Sequence, residues 1–109
     1  MLNEAKKALR VTATYYDSEI ASLLMAGAND LMIAGVVLPG TVSFDIENDQ
    51  VTDNSDLTDP LAMRAVITYA AMRFGNPPNY DKLAESYELQ KVQLMHASAY
   101  TNYWEDDIQ

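Results

Sequence analysis

The chain has no cysteine, one histidine, four glycines and seven basic residues, and each scarcity removes a class of chemistry. Without cysteine there are no disulfides, thiolate metal sites or cysteine nucleophiles, which fits a reducing compartment. One histidine, His96, leaves no imidazole pair for a metal and no Ser/His/Asp arrangement at a readable spacing. It reads as a surface or capping residue near a helix C-terminus. Gly27, Gly35, Gly40 and Gly75 make neither GxGxxG nor a Walker loop, so no nucleotide site is expected. No window approaches the ~20 apolar residues of a membrane span. Residues 1–10 are amphipathic and lack the apolar run of a signal peptide, so a soluble chain without membrane contact is expected. Seven Lys and Arg stand against sixteen Asp and Glu, a formal net charge of −9 with no basic cluster. Such a field repels phosphate: gripping DNA is not expected, although a surface past which DNA slides without sticking is compatible.

What is present is enough for one core. The chain has 109 residues, 49% of them hydrophobic, which suits a single domain over 1–109. A first helix is expected from Asn3, as N-cap, to about Arg10, with Ala5, Ala8 and Leu9 on one face. Thr14 and Asp17 are spaced as a capping box for a second helix over Ser18–Gly35, whose buried stripe is Ile20, Leu23, Leu24, Ala28, Leu31 and Met32. Residues 36–58 read as a variable loop, with Val42, Phe44 and Ile46 alternating as one side of a short strand or small hairpin. Asp59 and Pro60 open a third helix running to Phe74 and apolar nearly all round. Such a helix is covered on more than one side, by its own domain or by a neighbouring subunit. Gly75, Asn76, Pro77 and Pro78 reverse the chain into a fourth helix from about Asn79, with Tyr80, Leu83, Ala84, Tyr87, Leu94 and Met95 on its apolar stripe. The expected fold is all-α, a compact bundle of about four helices with a long central loop or small hairpin between the second and third.

Candidate catalytic, cofactor and metal residues are absent from this reading. The acidic loop with Asp45, Glu47, Asp49, Asp53, Asp56 and Asp59 could offer oxygens to a hard cation, but an EF-hand counted from Asp45 meets Gln50 and Asp56 where it needs Gly and Glu. It reads instead as a solvated acidic surface that would repel DNA if it lined a channel. Arg64 and Arg73, nine residues apart on one helix, suit separate salt bridges across helix or subunit boundaries. Tyrosine occurs seven times, and aromatic rings with a polar handle gather where protein meets protein. Tyr69 and Tyr87 suit packing between helices, whereas Tyr100, Tyr103 and Trp104 make the C-terminal stretch a docking tail.

The order of these features resembles the head-tail connector, or head completion adaptor, family of tailed bacteriophages. The residues that carry the resemblance are Asn3–Val11, Asp17–Leu24 leading a long helix, Asp59–Tyr69, the break Phe74–Pro77 and Tyr80–Leu94; 36–58 and 98–109 are least typical. The resemblance implies a structural virion protein at the head-tail interface, present in host cytoplasm during assembly, not an enzyme and without cofactors. It implies a closed ring of roughly a dozen copies below the portal that meets a stopper or tail completion protein and lets DNA pass. On that reading Arg64, Tyr69, Arg73 and Tyr87 contact the next subunit and Tyr100, Tyr103 and Trp104 dock on the portal. The loop acids Asp45, Glu47, Asp49 and Asp53 face the lumen or the tail side. The alternative expectation is an acidic DNA mimic that inhibits a nucleic-acid-processing protein.

Overall fold

The computed structural model describes the backbone of residues 1–108 and the side chains of residues 1–97. The first helix, α1, spans Leu2–Leu9 and stops where Arg10 turns left-handed at φ 58°. Its N-cap is Met1 rather than Asn3, without a side-chain cap. The expected capping box at Thr14 does not form: Thr14–Tyr16 is a single 3₁₀ turn, and α2 follows over Asp17–Ile33 with no side-chain cap. Asp17 pairs instead with Lys6 at 2.7 Å, tying α2 to α1. Past the end of α2, Gly35 takes φ 99° and lets Val36 N–H return to the Leu31 carbonyl at 3.0 Å, a glycine-closed helix end.

The central loop folds further than an all-α expectation allows. Strands β1 (Phe44–Glu47) and β2 (Gln50–Asp53) pair antiparallel in the register Phe44 to Asp53 through Glu47 to Gln50. The two turn residues, Asn48 and Asp49, have φ of 51° and 65°, the left-handed pair that a two-residue hairpin turn needs and that Asn and Asp tolerate. Phe44 points into the core and Ile46 lies 40% exposed, so only one end of the alternation is buried.

Helix α3, Pro60–Arg73, begins as its sequence dictates, with Asp59 Oδ2 accepting from Ala62 N–H at 2.9 Å and Pro60 in the first turn. After Gly75, at φ 66°, α4 spans Tyr80–Ile108 without the break near residue 97 that would set off a separate tail. The core gathers Ile20, Leu24 and Leu31 of α2, Ala62, Ala65, Val66 and Ala70 of α3, and Tyr87 of α4, with Ala5, Val36, Phe44 and Leu57 closing its ends. Alanines at the crossing let helices approach closely. Gly27 goes further, since a Cβ there would stand 3.0 Å from Tyr69 Cδ1, so the Tyr69 ring occupies the space of the missing side chain. Helix α3 packs on α1, α2 and α4 at once, so the apolar character of its inner face is satisfied within one chain.

Candidate assembly surfaces

The acidic residues divide into two kinds. Asp45, Glu47 and Asp49 are exposed on the hairpin, with Asn54 Nδ2 donating to Asp45 Oδ2 at 2.9 Å. Asp53 is a clasp: its Oδ2 accepts from the Met1 amino group at 3.0 Å and the Leu2 N–H at 2.9 Å, and its Oδ1 accepts from Ser55 N–H at 3.0 Å. Burial pushes this carboxyl up, but the donors outweigh it and hold the pKa at about 2. Asp56 likewise accepts from both the N–H and the hydroxyl of Thr41, which lowers its pKa and closes the loop neck. Among the described residues no group of three or more His, Cys, Asp or Glu is gathered as a cation would need.

The four expected interface residues also separate. Nine residues along a helix are two and a half turns, so Arg64 and Arg73 leave α3 on opposite sides. The Arg73 guanidinium sits 4.5 Å from the centre of the Tyr69 ring, and that ring meets Tyr87 edge-on at 5.5 Å. Tyr87 is only 3% exposed and donates its hydroxyl to Asp30, whose Oδ2 also lies 3.6 Å from Lys91 Nζ. Burial, then the Asp30 carboxylate, pushes the Tyr87 hydroxyl far above its ordinary pKa. The Tyr87 side chain thus links α4 to α2. Arg64 is exposed and has no ion pair among the described residues. Tyr100, Tyr103 and Trp104 lie outside the residues whose side chains are described.

Two apolar surfaces remain open on the fold. The first is a groove of about 620 Å³ along α2 and the following loop, walled by Met25, Ala28, Met32, Val36 and Leu38. Met32, expected in the buried stripe, is 59% exposed beside it, with Ile33 at 78% and Val37 at 56%. The second runs between α3, α4 and the end of α1, about 460 Å³ lined by Ala8, Pro60, Met63, Arg64, Ile67, Thr68, Ala71 and Leu83. It continues past Arg64 into a small pocket bordered by Leu61, Gln90, Gln93, Leu94 and Ala97. The α3 residues lining it recur at 60, 63, 64, 67, 68 and 71, one face of a helix, and that face is opposite the one bearing Ala62, Val66 and Tyr69. A helix with two apolar faces carried that signal in its sequence, but which face met its own chain was not legible there.

The described residues form a small helical bundle with open apolar grooves and a solvated acidic hairpin. The chain belongs to the phage connector protein family, whose model matches residues 1–101, and its role is structural. Comparisons with curated proteins and with solved structures gave no match. Among the described residues no helix is long and apolar enough to cross a membrane.

Proposed function

We propose that this chain is the adaptor of a phage head-tail junction: copies close into a ring below the portal, extend the channel through which DNA leaves, and present a surface for a stopper or tail protein. The observation that carries this reading is the pair of unlike apolar surfaces. Gly27 turns toward α3 under Tyr69, while Met25, Asn29 and Met32 lie on the other side of α2. The α3 groove likewise faces away from Tyr69. The two surfaces therefore lie on opposite sides of the α2 and α3 pair, and a head-to-tail contact that closes into a ring uses two different faces of each subunit. The hairpin acids Asp45, Glu47 and Asp49, on a chain of net charge −9, suit a channel wall or its tail-side rim, because DNA slides past a surface that offers phosphate no cations.

Mixing the protein with purified portal and imaging by negative-stain electron microscopy tests the reading. Rings stacked coaxially on the portal are the expected outcome. Absence of any co-assembly, with tight binding to a DNA-processing enzyme instead, would replace it with the DNA-mimic reading.

A further inference from the structure

The apolar seam between α3 and α4 is nearly uncharged. Arg64 is the one charged residue lining either of its two parts, and Leu61 beside it is 60% exposed. Leu89, one turn before Gln93 on α4, is 62% exposed. Gln90, in the wall, leaves its Oε1 without a hydrogen-bond partner among the described residues. Lys91, beside Gln90, is already paired with Asp30 and Glu88, so Arg64 is the seam's unpaired cation among the described residues. The seam thus suits an apolar occupant that carries negative charge.

The chain contains one segment of that chemistry. In residues 98–109, Tyr100, Tyr103, Trp104 and Ile108 recur at i, i+3, i+4 and i+8, the spacing of a helix that lays one face into a groove. Glu105, Asp106 and Asp107 supply the opposite charge to Arg64. The lengths agree: the twelve residues Pro60 to Ala71 along the seam measure about 18 Å as helix, as do the twelve residues of the segment. Its own chain carries the segment away, because α4 leads from Leu83 to Ala97 over about 21 Å and continues in the same direction.

We propose that the α3–α4 seam receives the C-terminal segment, residues 98–109, of a second copy of this chain, with Trp104 and Tyr103 in the apolar groove and the acids against Arg64. The idea rests on the adaptor reading only in taking copies of the chain as neighbours, and it gives the aromatic segment a partner other than the portal. The family match ends at residue 101, short of Tyr103 and Trp104.

Trp104 is the single tryptophan, so its fluorescence reports this segment alone. In the full chain, its emission should shift to the blue as concentration rises, in step with the loss of monomer mass in sedimentation. A synthetic peptide of residues 98–109 with Trp104 replaced by Phe, added in excess, should compete through its remaining aromatic and acidic residues, returning the emission of the full chain toward the red. Arg64→Glu should weaken association about tenfold or more, and reversing Glu105, Asp106 and Asp107 to Lys in the same chain should restore it. Circular dichroism confirms that each variant keeps its helices. Three results overturn the proposal: self-association that leaves Trp104 emission unchanged, a blue shift already complete in dilute monomer, or a shift that appears only with added portal. A chain cut after Ala97 separates the two readings. If it still builds rings on the portal, the tail contact falls and the adaptor stands; if the full chain builds none while Trp104 shifts on self-association, the adaptor falls and the contact stands.

Discussion

Tyr87 spends one hydroxyl on one carboxylate, and its burial makes that bond count. Replacing it by Phe removes the donor to Asp30 while the ring still packs on Tyr69. Asp30 keeps Lys91 nearby and its side chain is 40% exposed, so water takes up the freed oxygen. Tyr87→Phe should therefore cost about 1 kcal/mol in urea unfolding, the size of one ordinary hydrogen bond. Gly40 is a sharper case. A Cβ there would meet the Leu57 Cα at 2.8 Å, and backbone cannot swing aside as a side-chain end can. Gly40→Ala should lower stability by about 1–3 kcal/mol through overpacking of the loop neck, read from the same titration.

At the scale of elements, the helices that carry their own start and stop signals are the ones whose sequence could be read. Helix α3 has Asp59, Pro60 and Gly75, and its bounds follow from them. Asp59→Ala should cost about 1 kcal/mol by orphaning the Ala62 N–H, and the melting temperature should fall with it. Helix α1 lacks a capping side chain, so Asn3 was a plausible start that the chain did not use. Thr14 failed for a different reason: Asp17, the residue that would close its capping box, is engaged by Lys6 from α1, a partner remote in sequence. The hairpin was half legible, since Val42, Phe44 and Ile46 alternate, but its second strand, with Gln50, Thr52 and Asp53, is too polar to announce itself.

For the whole molecule, the Asp53 clasp joins the start of α1 to the end of the hairpin and makes stability depend on acid. Its folded pKa, about 2, lies below the unfolded value of 3.8, so the contribution is complete above 3.8 and disappears as pH falls through about 2. The carboxylate is partly exposed, and with solvent screening the contribution amounts to about 1 kcal/mol. Denaturant midpoints measured from pH 5 to pH 2 should fall for the parent chain, and Asp53→Asn should remove that part of the slope while starting lower at pH 5.

The sequence by itself determined the number of helices, the cap and stop of α3 and the acidic balance, because each follows from local propensity or from composition. Only the tertiary structure decided which apolar residues are covered. Periodicity shows that Met32, Leu61 and Val66 are apolar positions on helices, yet burial depends on what packs opposite, and that is set by elements distant in the chain. The same cause places Tyr87 inside the fold and leaves Arg64 beside an open apolar seam.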